Sequence, residues 1–310
     1  MRILVATDFS PRSQRAVRRA GILARQHGDD VLLMHVVDGA RPCEVARDLR
    51  EAQRMIVEQI AVMPELVRVE CRPLVVAGCP TDAIPEAATV REIDLIVVGA
   101  PRQGAPRDRG RTIRRLIRAA PCPVLVVGRS ATGPYAGVVL PVDFSEASAQ
   151  ALRSAASLGL ADDAHHVTVV HAFEAPGKPK LSAFGIGREH IDGYIENWRS
   201  SAAEEVEAFL EADGLAGRNW SRRVEEGPPD EVILRLAARM PSELLVMGTH
   251  ARTGIRKALL GSVTEDVLAA GGTDVLVVPP PRPGPLRQRP PSFEPPDPRA
   301  GRPALRVVTA

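Results

Sequence analysis

Short, nearly continuous apolar runs alternate with longer amphipathic stretches along this chain. Ile3-Leu4-Val5, Val31-Leu32-Leu33-Met34, Leu95-Ile96-Val97-Val98 and Val124-Leu125-Val126-Val127 are such runs. Strands buried on both faces of a parallel sheet read this way. The spacing predicts strands near 2–7, 31–37, 67–76, 94–99 and 123–128, then near 137–142, 166–173, 220–226, 243–248 and 274–279. Helices fill the gaps. The first has apolar positions at Ala16, Val17, Ala20, Leu23 and Ala24, steps of three and four that make one helical face. Ser10 before it is a good N-cap, and Pro11 suits the first turn. Alternating strands and helices with right-handed crossovers predict a doubly wound α/β sheet.

The pattern occurs twice. Arg2-Ile3-Leu4-Val5-Ala6-Thr7-Asp8-Phe9-Ser10 returns as Gly137-Val138-Val139-Leu140-Pro141-Val142-Asp143-Phe144-Ser145, with Asp-Phe-Ser identical. The helical stripe returns as Ala151, Leu152, Ala155, Leu158 and Gly159, behind an N-cap at Ser145 with Glu146 in the first turn. Later strands correspond too, such as Val124–Val127 with Val275–Val278. The chain therefore reads as two five-stranded units, 1–130 and 136–280, joined by a short Gly-, Ser- and Pro-bearing segment. The two last strands can pair within one chain and cover each other's apolar edges, an intrachain pseudo-dimer. Further homodimerisation is left open. Pro176–Gly187 reads as a mobile loop. Residues 281–310, with nine prolines and six arginines against Glu294 and Asp297, are expected to be disordered.

Composition narrows the function. The 310 residues carry 40 basic and 38 acidic side chains, a formal net charge of +2. So even a balance supplies no global field for nucleic acid or an anionic membrane. Aromatics at 3% make base-stacking platforms a poor fit. No apolar run reaches the roughly 18 residues of a membrane span. Asp8 comes too early for a signal peptide, so a cytoplasmic protein is expected. Cys43, Cys71, Cys79 and Cys122 form no C-x-x-C pair and read as reduced, partly buried thiols, with no metal site. His165 and His166 are adjacent, so a strand would point them apart. His35 and His171 hold equivalent places, which suits packing or hydrogen bonding. Trp198 and Trp220 read as core or partner contacts.

In an open parallel sheet, ligands bind beyond the carboxyl ends of the strands, at the switch point between the first and fourth. In the second unit those ends carry Pro141, Asp143 and Ser145, then Ala172, then Met247-Gly248-Thr249-His250-Ala251, and the next helix opens near Gly261-Ser262-Val263-Thr264-Glu265. A glycine-bearing turn and free N–H groups at a helix start suit a phosphate. Ser262 and Thr264 offer hydroxyls, His250 lies in the same loop, and Asp143 is an acceptor for ribose hydroxyls, a base amine or a divalent ion. Structural alternatives stand beside these. Ser262 with Glu265 also reads as a capping box, and Asp143 as a turn residue.

These residues resemble the universal stress protein family over about 1–280. Its ATP-binding members have G-x-x-G, nine residues, then G-[S/T]. Here that reads Gly248-Thr249-His250-Ala251, Arg252 to Leu260, then Gly261-Ser262, with Ala251 replacing one glycine. Leu259-Leu260-Gly261-Ser262-Val263-Thr264-Glu265, the Asp-Phe-Ser triplets and Pro121-Cys122-Pro123-Val124 also look like the family. The resemblance implies ATP, with Mg²⁺, in the second unit. Asp143, Pro141 and the backbone near Ala172 would face the adenosine end, and Met247 and Gly248 would line the ribose side. His250, Ala251, Gly261, Ser262, Val263 and Thr264 would lie toward the phosphates. The first unit departs from the pattern. Counting from Gly99 places Arg102 and Thr112 where glycines belong, and aligning Gly110 with Gly261 puts Arg111 in place of Ser262. It reads as a degenerate site whose arginines could still attract an anion.

The expected role is a stress-response module that binds an adenine nucleotide and an unidentified protein partner, with no catalytic residues assigned. Slow ATP hydrolysis or autophosphorylation stays open. There is no nucleophile elbow, Walker A sequence or G-x-G-x-x-G. A phosphoreceiver domain would need Lys ending the fifth strand, and neither unit has it. A nucleotide-independent scaffold is the alternative, kept open by Ala251.

Overall fold

The computed structural model describes residues 1–38, 42–101, 111–161, 166–178, 183–184, 186–239, 243–249 and 260–280. The first half runs β1 (Arg2–Thr7), α1 (Pro11–His27), β2 (Asp30–Val37), α2 (Pro42–Val62), a 3-10 turn (Pro64–Leu66), β3 (Cys71–Ala77), α3 (Pro80–Val90), β4 (Leu95–Gly99), α4 (Arg111–Ala119) and β5 (Val124–Val127). The second runs β6 (Gly137–Pro141), α5 (Glu146–Ser157), β7 (His166–Phe173), α6 (Arg188–Ala212), β8 (Ser221–Glu226), α7 (Pro229–Arg239), β9 (Glu243–Gly248), α8 (Ser262–Ala270) and β10 (Asp274–Val278).

All ten strands form one sheet in the order β3-β2-β1-β4-β5-β10-β9-β6-β7-β8. Pairing is parallel within each half and antiparallel where β5 meets β10, with Val124 opposite Val277, Leu125 opposite Leu276 and Val126 opposite Val275. These side chains are almost wholly buried, so the two apolar edges cover each other as expected. Because the join is antiparallel, the carboxyl ends of the two halves face opposite ends of the sheet.

Helices coat both faces. Val17 of α1, Ile56 of α2, Leu152 of α5 and Leu210 of α6 pack with Val5, Leu125, Leu140 and Leu276 on one face. Ile84 of α3, Ile117 of α4, Val232 of α7 and Val267 of α8 pack with Leu4, Val126, Val170 and Val275 on the other. Each cluster runs through both halves without a break. The predicted stripe of α1 is buried throughout. Ser10 and Ser145 both cap as read, accepting from the N–H of Ser13 at 3.4 Å and of Ser148 at 3.3 Å.

One strand starts later than its sequence predicts. The expected 67–76 strand opens only at Cys71. Pro64–Leu66 forms the 3-10 turn, Val67 is exposed, and Arg68 has φ +67°, a left-handed backbone that no strand accommodates. The predicted loop 176–187 lies partly outside the described residues, as does the whole of 281–310. The thiols differ from the uniform expectation: Cys122 is buried, Cys71 half-buried and Cys79 exposed. Burial pushes the Cys71 thiol up to about 12. Trp220 is buried, whereas Trp198 is 40% exposed.

A buried polar network locks the halves together. Asp274, the first residue of β10, is 2% exposed. Its carboxylate accepts from the Gly128 N–H at 2.9 Å, the Arg129 N–H at 3.1 Å, Arg19 Nε at 3.2 Å and the Tyr135 hydroxyl at 2.7 Å. Arg19 also donates to the Gly133 carbonyl at 2.8 Å and lies over the Tyr135 ring at 3.8 Å. Burial, and then the neighbouring Asp274 charge, push the Tyr135 phenol well above its ordinary range, so the hydroxyl stays a donor. The joining segment is thus docked, and it ties α1 of the first half to β10 of the second.

Candidate functional site

Strand register opens a crevice in each half. β6 pairs with β9 only from Gly137–Glu243 to Val139–Leu245, while β9 stays paired with β10 as far as Gly248–Val278. Leu140 and Pro141 therefore extend past the last β9 partner. In the first half β1 and β4 part after Val5–Val97. These are the switch points at which an open α/β sheet receives a ligand.

The Asp-Phe-Ser triplets build the same turn at both crevices. Phe9 has φ +58° and Phe144 φ +61°, conformations a bulky side chain adopts only when held there. The preceding aspartate supplies one restraint. Asp8 Oδ1 accepts from the Ser10 N–H at 3.0 Å, and Asp143 Oδ1 from the Ser145 N–H at 3.2 Å and the Ser145 hydroxyl at 2.5 Å. Histidine supplies the other. The Phe9 ring meets His35 at 4.5 Å and Phe144 meets His171 at 4.4 Å. Nδ1 of His35 and of His171 pairs with the carbonyls of Thr7 at 2.8 Å and Val142 at 2.9 Å. The expected packing and hydrogen-bonding role of these histidines is what the turn uses. The left-handed phenylalanine had no sequence signal except the repetition of its triplet. Asp143 thus has a structural duty in addition to any ligand it meets. Burial alone would raise the Asp8 carboxyl, but the Ser10 and Ser13 hydroxyls and the Ser10 N–H outweigh it and hold it below the usual carboxylate range.

Gly248 also has a structural reason. A Cβ there would lie 2.2 Å from the Ala147 carbonyl oxygen, and one at Gly99 2.7 Å from that of Arg12. Glycine at the end of the fourth strand lets the first turn of the first helix approach. Beside Gly248, Thr249 is 1% exposed and bonds the Val278 carbonyl through its N–H at 2.9 Å and its hydroxyl at 3.2 Å.

The start of α8 differs from its expected capping box. Gly261 is the N-cap and Ser262 the first helical residue, so Glu265 falls one place too late to reach back as the box requires. A glycine cap has no side chain to accept from the first-turn N–H groups. Those of Ser262, Val263 and Thr264 open the helix without it, unlike the serine-capped α1 and α5.

The remaining candidates divide. Pro141 and Ala172 are half-buried at the ends of β6 and β7, Asp143 and Ser262 are exposed, and Val263 is half-buried. The Met247 side chain packs into the core beside Leu260 and Val267, and Thr264 is buried. Ala172, Met247, Leu260 and Val263 all belong to the apolar cluster on the α8 face of the sheet. His250 and Ala251 lie outside the described residues, as does 102–110 of the first half. Among the described residues no group of three or more His, Cys, Asp or Glu is placed to hold a metal ion, and no helix is long and apolar enough to cross a membrane.

Two doubly wound units sharing one sheet, each with an Asp-Phe-Ser turn at its switch point, define a tandem α/β protein. The chain belongs to the universal stress protein family, whose model matches residues 1–128 and again 134–279. A universal stress protein of Mycolicibacterium smegmatis is 30% identical over 318 residues, covering 90% of this chain and 97% of its own. One from Methanocaldococcus jannaschii is 29% identical over 156 residues, covering 50% of this chain and 88% of its own. The crystal structure of a universal stress protein from Archaeoglobus fulgidus superposes with a TM-score of 0.64 at 17% identity, covering 90% of this chain and 98% of that one. At that identity the likeness speaks for the fold.

Proposed function

We propose that this universal stress protein binds ATP with Mg²⁺ through its second unit and acts as a regulatory module in the stress response, not as an efficient enzyme. The observation that carries the reading is the glycine-capped start of α8, the helix that leads from β9, one edge of the crevice, into β10. Backbone N–H groups at a helix N-terminus, with the positive end of its dipole, favour a phosphate chain. Gly261-Ser262 follows Gly248 at the spacing of the family's ATP-binding pattern. Pro141 and Ala172 end the flanking strands where an adenosine would lie, and Asp143 offers an acceptor there. The one hydroxyl that meets a carboxylate in the described part of the crevice, Ser145 on Asp143, also caps α5 and so serves the turn, which makes binding rather than turnover the economical reading. The first unit, with Arg111 where the second has Ser262, is assigned no ATP.

Calorimetric titration of the nucleotide-free chain with ATP and Mg²⁺ tests this. One site per chain is expected, lost in the Gly261→Val, Ser262→Ala variant. Two sites would refute the asymmetry between units. No binding up to millimolar ATP would refute the nucleotide reading and leave a scaffold, with Ala251→Gly as the variant that shows whether the missing glycine is the cause.

A further inference from the structure

α4 and α8 are the same helix in the two halves, each linking the fourth strand to the fifth. Their inward residues agree: Leu116 and Ile117 of α4 match Val267 and Leu268 of α8, on the same side of the sheet. Their outward residues do not. Arg111, Arg114, Arg115 and Arg118 stand where α8 has Ser262, Glu265, Asp266 and Ala269. Two of the four places reverse charge. The apolar stripe is common to both helices, so packing on the sheet does not account for the arginines.

Positions 111, 114, 115 and 118 are steps of three, four and seven, which place them on one helical stripe about 10 Å long. The buried Leu116 and Ile117 lie on the opposite side. Arg115 and Arg118 are exposed and Arg114 is half-buried. α4 has no acidic residue of its own. Among the described residues, the one ion pair made by these side chains joins Arg118 to Glu265 at 4.0 Å, and neither Asp82 nor Glu86 of the neighbouring α3 pairs with them. The sequence from 100 to 119 has seven arginines against the single acid Asp108. An almost neutral chain thus places four arginines and no acid on a nine-residue helix. The planar guanidinium pairs with phosphate through two parallel hydrogen bonds, which an ammonium cannot do.

We propose that the outward face of α4 binds a linear inorganic polyphosphate, Arg114, Arg115 and Arg118 each pairing with a separate phosphate along the stripe. Nucleic acid would offer the same charge but also bases to be stacked. Among the described residues the exposed large aromatics are Phe184 and Trp198, both in the second half, and α6, which carries Trp198, packs on the other face of the sheet. The stripe can pair with a phosphate chain and has no aromatic platform on which successive bases would stack.

The test is fluorescence anisotropy of end-labelled long-chain polyphosphate with the full chain. Three neutralised phosphates predict an affinity that falls about 20-fold between about 50 and 200 mM salt, by the single-strand counterion relation. Arg114→Gln, Arg115→Gln, Arg118→Gln should weaken binding at least about tenfold at low salt and flatten the salt dependence, since all three contacts go. The charge-matched control Arg188→Gln, Arg218→Gln, Arg223→Gln in the second half should stay within about twofold, because those arginines lie off the stripe. If the glutamine variant fails to fold, Arg114→Lys, Arg115→Lys, Arg118→Lys carries the test. It should bind several-fold more weakly with an unchanged salt slope, and unaltered affinity would overturn the guanidinium pairing. Absence of binding at low salt, equal loss in the control, or tighter binding of a mixed-sequence single-stranded RNA of matched charge would each overturn the proposal.

Discussion

Replacing Asp274 with alanine should cost more stability than any other single side-chain truncation at the junction. The carboxylate has four donors, two from backbone and one each from Arg19 and Tyr135. Arg19 is 6% exposed, so its charge cannot turn to water when the partner goes. Removing one member of a buried ion pair costs about 3–5 kcal/mol. The Gly128 and Arg129 N–H groups and the Tyr135 hydroxyl would lose an acceptor as well, each worth about 1 kcal/mol or more where water cannot replace it. A floor of about 3 kcal/mol follows, a large share of the 5–15 kcal/mol typical of folded proteins. Urea unfolding at neutral pH measures it, followed by circular dichroism for the whole chain and by tryptophan fluorescence for the second half, where both tryptophans reside. The wild type should unfold in one transition by both probes, because sheet and core run unbroken through the halves. The variant should unfold earlier, with the two probes separating as the halves uncouple. A double-mutant cycle with Arg19→Met should give a coupling of at least about 1.5 kcal/mol. A cost below about 1 kcal/mol together with negligible coupling would show that the network does not hold the joint.

Three further outcomes are expected. Gly248→Ala should destabilise by about 1–3 kcal/mol in urea titration, more than Gly99→Ala, because the added Cβ meets the Ala147 carbonyl at 2.2 Å against 2.7 Å for its counterpart. Asp8 has a depressed folded pKa, so it contributes stability that is present above its unfolded value near 3.9 and lost as pH falls through the lower folded one. Asp8→Asn should accordingly lower stability at pH 7 and leave a shallower loss between about pH 5 and 2, and an unchanged acid limb would contradict the turn assignment. Leu276→Pro should break the β5–β10 pairing and expose both apolar edges, seen as self-association in sedimentation velocity; a soluble monomer of unchanged stability would refute the role of that seam.

Much of the fold was legible because buried parallel strands leave unmistakable runs of Val, Ile and Leu, and because the repeat let each half check the other. Every strand but one begins within about two residues of its sequence reading. The exception, β3, failed where Arg68 turns left-handed, a conformation with no marker in a residue other than glycine. The helix start at Gly261-Ser262 was legible, but the alternative of a capping box at Ser262 fell one position off, because both residues suit an N-cap and only backbone geometry separates them. The switch-point crevice followed from topology alone. The Asp274 network could not be seen in advance, since Arg19, Tyr135 and Asp274 are far apart in sequence and have no counterparts across the repeat: Ser154 and Pro123 hold the places of Arg19 and Asp274.

The antiparallel seam between β5 and β10 has a consequence for how this molecule can change. When two identical chains meet across such a seam, any substitution appears on both sides at once, and whatever suits one side must be tolerated by the other. Here a single polypeptide crosses the axis, so each side is spelled separately. One side can keep a glycine-capped helix start while the other acquires a row of arginines, and a lone aspartate can serve as a fastener on one flank only. Covalent continuity turns a symmetric pair into two independently adjustable ends of one rigid sheet.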